Sequence, residues 1–96
     1  MTTSAQDRPA ALDLSREESW VVHAALLEAI ERAVDADDDP TPAPDLLARV
    51  EAADEDFDSA ELDYLVDSLR AYRGIAPTRD QHHISHVLDH IEAARV

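Results

Sequence analysis

The chain has 96 residues, a length that suits one small domain. It carries 22 acidic residues and eight basic residues, and all eight are arginine. The resulting net charge of −14 disfavours direct nucleic-acid binding, because such binding relies on basic side chains to neutralise phosphates. The absence of cysteine excludes disulfides and thiolate chemistry, and an apolar content of 45% excludes an acidic disordered chain.

Residues 1–13 are predicted to form a flexible tail, without the basic start and apolar run of a signal peptide. A first helix is predicted from Ser15 to about Val34, because Ser15 and Glu18 have the spacing of a capping box. His23 falls in the middle of the apolar face of this helix, with Trp20 at the border. We therefore expect His23 to be a hydrogen-bonded core histidine and Trp20 to pack against the core.

The acidic, proline-containing segment 35–43 is predicted to be a linker, because its prolines and aspartates cannot hold a regular helix. A short second helix is expected over residues 44–53, with Pro44 in its first turn. No apolar stretch of the chain approaches the roughly 20 residues that are needed to span a bilayer.

The third helix is predicted to begin after Asp58, with Glu61 as the second member of a capping box and Phe57 and Leu62 as a hydrophobic staple. Its core stripe recurs at helical spacing. The stripe consists of Leu62, Leu65, Val66, Leu69 and Tyr72. Gly74 is expected to end the helix with a positive φ, and Ile75 to fold back onto its last turn.

A fourth helix is predicted to begin at Thr78, with Gln81 as its capping-box partner. Its inward face should consist of Ile84, Val87, Leu88 and Ile91. Alternating strand patterns and internal repeats are absent from the sequence. Residues 14–96 are therefore predicted to form a single all-α domain, a small four-helix bundle-like fold.

One stretch of this acidic chain, residues 70–83, is locally basic. It suggests a docking surface for an acidic peptide, a phosphate or a nucleotide, with the arginines as bidentate donors. The alternative is that Arg70 and Arg73 only complement the negative end of the third helix dipole. Tyr64 is predicted to point away from the core, where it could extend a helix–helix contact. The candidate partner-binding residues are Arg70, Tyr72, Arg73, Arg79, His82, His83 and Tyr64.

Four of the five histidines lie on one face of the fourth helix. The pairs His82/His86 and His86/His90 are four residues apart, which allows two imidazoles to chelate one cation, and Asp89 lies beside them. The alternative is an ordinary solvated helix face, because a tight site needs ligands from a second element. A weak metal site formed by His82, His86, His90 and Asp89 is therefore a hypothesis.

Enzymatic chemistry has little basis in this sequence. The acidic pairs lie in caps and linkers, and a phosphate-cradling loop is excluded because the chain contains a single glycine. We therefore expect a non-catalytic protein without a cofactor. The acidic, lysine-free composition resembles that of the small uncharacterised domains of halophilic archaea, and this resemblance implies a cytoplasmic protein in a salt-rich cell.

The preferred hypothesis is a non-catalytic protein-interaction or regulatory module that binds a protein partner, associates with itself, or does both. Self-association is expected because the large apolar side chains are few for four helices. A first alternative is a helix-turn-helix-like transcriptional regulator built from the second and third helices. A second is a weak metal-binding module that uses the histidine face.

Overall fold

The computed structural model describes residues 10–54 and 56–94. This part of the chain forms four helices: α1 (Arg16–Asp35), α2 (Ala43–Glu51), α3 (Ser59–Arg73) and α4 (Thr78–Ala94). Two short strands, β1 (Ala10–Ala11) and β2 (Asp56–Phe57), pair antiparallel, with Ala10 opposite Phe57. The predicted all-α fold class is confirmed. Within the described residues, no helix has the length and apolar character required to cross a membrane.

Two predicted capping boxes are confirmed, and both fix a helix start. The Ser15 hydroxyl accepts a hydrogen bond from the Glu18 backbone N–H at 3.1 Å, and the Glu18 carboxylate accepts one from the Ser15 N–H at 2.9 Å. Asp58 and Glu61 make the same reciprocal pair at the start of α3, at 2.8 and 2.9 Å. These bonds satisfy backbone donors that a helix N-terminus leaves free, so the local sequence sets both boundaries.

The connection between α3 and α4 differs from the prediction. Gly74 has a right-handed φ of −67° rather than a positive one, and Ile75 is 64% exposed instead of folding back. Its N–H bonds to the Tyr72 carbonyl at 2.9 Å in a tight turn that needs no left-handed residue. Gln81 makes no capping box with Thr78, because its side-chain amide donates to the Arg73 and Ala76 carbonyls.

α1 is the central helix of the domain, since it packs against α2, α3 and α4, while α3 and α4 also pack against each other. The predicted stripe of α3 lies in the core, with Tyr72 at its border. The largest fully buried side chains are Phe57, Leu26, Leu46, Leu65, Leu69, Ile84, Ile91, Val21, Val22 and Val87. Leu88 packs against this cluster from a half-buried position.

The segment before α1 belongs partly to the folded domain. Leu12 is buried in the core, and β1 pairs with β2 beside the buried Phe57. Leu12 therefore packs with the core and residues 10–11 pair with β2, whereas residues 1–9 of the predicted tail lie outside the described residues. The predicted linker corresponds to the connection between α1 and α2, which runs over residues 36–42.

Candidate functional site: a groove on the central helix

A groove of about 500 Å³ opens on α1 between the end of α2 and the start of α4. Its volume lies within the range of pockets that bind small molecules or side chains, roughly 300–1,000 Å³. Three separate helices supply the lining residues, so no single sequence motif predicts the groove. The lining residues are Arg16, Glu17, Ser19, Trp20, His23, Val50, Glu51, Arg79, Asp80 and His83.

A stacked aromatic pair forms the α1 wall of the groove. The rings of Trp20 and His23 lie nearly parallel, at 7°, with centroids 5.9 Å apart. Nε2 of His23 lies 2.9 Å from the Glu51 carboxylate of α2, so that the imidazole is held from a second helix. The indole of Trp20 remains 64% exposed. The wall is thus a fixed aromatic surface that is open to a ligand.

Two predictions about these aromatic residues are wrong. His23 is not a core histidine: a quarter of its side chain (25%) is exposed, and its hydrogen-bond partner lies in α2. Trp20 faces outward instead of packing on the core. A helix turns by roughly 100° per residue, so on a helical projection His23 lies about 130° and Trp20 about 170° from the centre of the buried face of α1. The adjacent Val21 and Val22 occupy the core instead.

The back of the groove is held by a hydrogen bond between α3 and α4. The Tyr72 hydroxyl donates to Oδ2 of Asp80 at 3.0 Å, and Asp80 is a buried carboxylate. Burial raises the pKa of the Tyr72 phenol, and the hydrogen bond and negative charge of Asp80 raise it further. This contact occupies the Asp80 carboxylate and fixes the first turn of α4.

Arginines lie at the rim of the groove, in the first turn of two helices. Arg16 is the first residue of α1, and Arg79 is the second residue of α4. His83 follows one turn after Arg79 and also lines the groove. A cation near a helix N-terminus opposes the helix dipole, so these positions do not stabilise their own helices. The arrangement instead places guanidinium groups beside backbone N–H groups, both of which can bind an anion, while the carboxylates Glu17, Glu51 and Asp80 also line the groove.

The structure divides the predicted partner-binding surface. Arg79 and His83 line the groove, and Tyr72 supports it from behind. Arg70 lies elsewhere, in a shallow depression that also includes Asp63, Val66, Asp67 and Glu92. The remaining members of the predicted set are dispersed: Arg73 and His82 are exposed, and Tyr64 is half-buried against the core rather than pointing away from it.

The predicted metal-binding face is also divided. The rings of His82 and His86 lie close, with centroids 4.3 Å apart, and His83 contacts His82 edge-on at 5.8 Å. His90 instead approaches the Glu18 carboxylate, with its Nδ1 at 3.6 Å, and Asp89 is exposed. Over residues 10–54 and 56–94, no three or more His, Asp or Glu side chains converge to hold a metal ion. The close pair is His82 and His86.

A family model matches residues 12–92, and it describes a family of unknown function, DUF7853. The chain belongs to this family. The match covers all four helices of the DUF7853 fold up to the last turn of α4, and it includes every residue that lines the groove. Neither a curated protein nor a solved structure matches the chain.

The helix-turn-helix alternative depends on α2 and α3 of this DUF7853 domain. Residues 52–58 connect the two helices and include β2, whereas helix-turn-helix units use a turn of about three or four residues. The exposed face of α3 carries Asp63 and Asp67. A long connection and an acidic outer face both disfavour a DNA-reading helix.

Proposed function

We propose that this chain is a non-catalytic protein-interaction module whose groove binds a short peptide segment of a partner protein. The segment carries an apolar side chain next to carboxylates. The observation that carries this proposal is the exposed Trp20, stacked on His23, in a groove that has Arg16 and Arg79 at its rim. An aromatic surface beside arginine is the combination that is enriched at protein interaction hot spots.

The apolar part of the ligand fits the wall formed by Trp20 and Val50. Val50 is buried in the core, whereas the indole is open to solvent, so a ligand side chain would cover apolar surface that is now exposed. Burial of apolar surface contributes about 25 cal/mol per Å². The volume of about 500 Å³ suits one or two side chains of a peptide.

The charged part of the ligand fits the α4 side of the groove. Arg79 and His83 both come from α4, and their neighbour Asp80 already accepts a hydrogen bond from Tyr72. On the α2 side, Glu51 is paired with His23. Carboxylates of a ligand would therefore lie near Arg79, where a guanidinium group can donate two parallel hydrogen bonds.

A binding role also agrees better than a catalytic role with the way the groove carboxylates are used. Glu51 connects α2 to α1 through His23, and Asp80 connects α4 to α3 through Tyr72. Two of the three carboxylates that line the groove, Glu51 and Asp80, thus have structural partners, and the third is Glu17. We propose no cofactor.

The finer assignment to the cytoplasm of a halophilic cell is part of the same proposal. It is supported by the net charge of −14 and by arginine as the sole basic residue type apart from histidine. At molar salt the Debye length is about 3 Å, so like charges on the surface scarcely repel. An acidic peptide could then approach this acidic domain and use the short-range contacts of the groove.

Two capped tetrapeptides test the proposal, acetyl-Asp-Leu-Phe-Asp-amide and its neutral counterpart, acetyl-Asn-Leu-Phe-Asn-amide. Trp20 is the single tryptophan, so its fluorescence reports binding in the groove. At equal salt concentration we expect the acidic peptide to bind about three- to tenfold more tightly, from one or two exposed charge contacts.

Arg79→Ala should remove this preference, whereas the matched control Arg73→Ala should retain it, because Arg73 lies outside the groove lining. Equal affinity for the two peptides in the wild-type protein would contradict the charged part of the proposal. An equal loss with Arg73→Ala would show that the groove is not the site.

A further inference from the structure

A row of exposed apolar side chains runs along the outside of α1. Trp20, Leu27 and Val34 are 64%, 41% and 62% exposed, and each is seven residues from the next. Seven residues are nearly two helical turns, so the three side chains lie in one line about 21 Å long. The buried residues of α1, including Val22 and Ala29, lie on the opposite side of the helix.

This row is unusual for so acidic a surface. In the part of the chain that the structure describes, four large apolar side chains are exposed, and three of them form the row; the fourth is Ile75. Scattered apolar residues on a surface need no explanation, but a line of apolar residues seven apart repeats one of the two core positions of the heptad by which one helix packs along another. We define Trp20, Leu27 and Val34 as the outer row.

We propose that the outer row is a self-association surface, on which α1 of a second copy packs antiparallel about a two-fold axis at Leu27. In this register Leu27 meets Leu27 of the partner subunit, and Trp20 meets Val34 of the partner subunit. The row is symmetric about its centre, because Trp20 and Val34 are both seven residues from Leu27. A two-fold interface requires this self-complementarity.

The charges in line with the outer row favour the antiparallel orientation. Arg16 is at the start of the helix in line with the row, whereas Glu17 points roughly 80° to one side and Glu18 is buried. Asp35, Asp37 and Asp38 are at and just beyond the end of the helix. An antiparallel pair brings each Arg16 to the aspartates of the partner subunit, and it also aligns the helix dipoles favourably. A parallel pair would instead place the two aspartate clusters side by side.

This inference goes beyond the proposed peptide binding and shares two residues with it, Trp20 and Arg16. Self-association would cover the indole and partly close the groove, so the two activities should compete. Leu27 and Val34 are not part of the groove lining, whereas Arg79 is not part of the outer row. Substitutions can therefore separate the two proposals.

Sedimentation equilibrium of the full chain in molar NaCl, over a dilution series, tests the inference. The weight-average mass should rise from 10.6 kDa toward twice that value as concentration increases. Leu27→Asp, which sets two carboxylates against each other at the axis, should weaken association by at least about tenfold, and Val34→Ser should weaken it to a smaller extent.

The matched control is Ile75→Ser, which removes an equally exposed apolar side chain outside α1 and should leave the mass profile unchanged. Far-UV circular dichroism verifies that each variant is folded. If Leu27→Asp does not fold, Val34→Ser provides the test. A wild-type mass that stays at 10.6 kDa at all concentrations would overturn the inference. Equal weakening by Ile75→Ser would overturn it as well.

Arg79→Ala should associate like the wild-type protein, and Val34→Ser should still prefer the acidic tetrapeptide. Loss of association in Arg79→Ala would place the interface at the groove and overturn the assignment to the outer row. Loss of the peptide preference in Arg79→Ala alone, with association unchanged, supports two separate surfaces.

Discussion

Arg49 and Arg79 show two different uses of arginine in an acidic protein. Arg49 donates to Glu61 at 2.8 Å and to the carbonyl of Asp56, and its guanidinium group lies over the Phe57 ring, 4.8 Å from the centroid. Arg79 is exposed at the rim of the groove. The first arginine joins α2 to β2 and α3, whereas the second faces solvent where a ligand could bind.

The helix dipoles sharpen this contrast. Arg49 is in the last turn of α2, where a cation is favoured, and Arg79 is in the first turn of α4, where it is not. Partial burial lowers the pKa of Arg49, but the hydrogen bond to Glu61 and the charges of nearby carboxylates outweigh it and raise the pKa overall. The comparison teaches that position, rather than residue type, separates a structural arginine from the arginine that we propose binds a ligand.

The largest effect is expected when salt is removed. The net charge of −14 repels itself in low salt, and a few local pairs such as Arg49–Glu61 do not offset a repulsion that acts over the whole surface. We expect the helical signal in circular dichroism to be lost between molar and low ionic strength. Full helicity and an unchanged Tm in low salt would contradict this prediction.

Substitution of the structural arginine should have the next largest effect. Arg49→Ala removes the Glu61 pair and the contact with Phe57, and it should lower the free energy of unfolding by about 2–3 kcal/mol, measured by urea denaturation in high salt. Arg79→Ala should change it by less than about 0.5 kcal/mol. Arg32→Ala, which breaks an exposed pair with Glu28, is a second control with a similarly small effect. Equal costs for Arg49→Ala and Arg79→Ala would remove the contrast.

The hydrogen bond behind the groove should contribute less than the Arg49 contacts. Tyr72→Phe removes the donor to the buried Asp80 carboxylate and should cost about 1–2 kcal/mol. The raised pKa of Tyr72 adds a pH dependence. Because the folded-state pKa exceeds the unfolded value of about 10, this stabilisation is complete below pH 10 and is lost as pH rises through the folded-state pKa.

Unfolding free energies of the wild-type protein and Tyr72→Phe, compared from neutral pH upward, measure this effect. The gap between the two proteins should narrow above a pH of about 10, where the phenol ionises. Tyr64 is present in both proteins, so the difference between them isolates Tyr72. A constant gap at all pH values would mean that the Asp80 contact does not stabilise the protonated phenol.

The smallest effect is expected at the histidine face of α4. The close pair His82 and His86 can bind Zn²⁺ or Ni²⁺ weakly, and we expect the Tm to change little on addition of either ion. A tight site at a hundred times its dissociation constant would stabilise the fold by about 2.7 kcal/mol. If the metal stabilised the fold by that amount and His86→Ala abolished the stabilisation, the prediction of weak binding would be wrong. The histidine face would then be a metal site.

The helices could be predicted from the sequence because their signals are local. Ser15 with Glu18 and Asp58 with Glu61 set helix starts through bonds between residues three apart, and helical periodicity identified the core of α3. Gly74 was mispredicted because a glycine after a helix fits two kinds of turn, and the choice between them depends on Gln81 and the following connection.

The groove could not be predicted because its parts are distant in sequence. His23 meets Glu51 only once α1 and α2 have packed, and Arg79 reaches the same groove through α4. Helical periodicity wrongly predicted that His23 lies in the core. Periodicity identifies an apolar face, but it does not show which side of that face the neighbouring helices leave exposed. One signal was available: Arg16 and Arg79 occupy first helical turns, where arginine does not stabilise a helix.

The most direct test is a ¹⁵N NMR titration of the full chain with acetyl-Asp-Leu-Phe-Asp-amide in high salt. We predict that the largest chemical-shift changes occur at the Trp20 indole N–H and at the backbone amides of Val50, Arg79 and His83, which belong to three different helices and meet in the groove. Changes centred instead on Arg70 and Arg73 would contradict the account, since they would place the binding surface outside the groove.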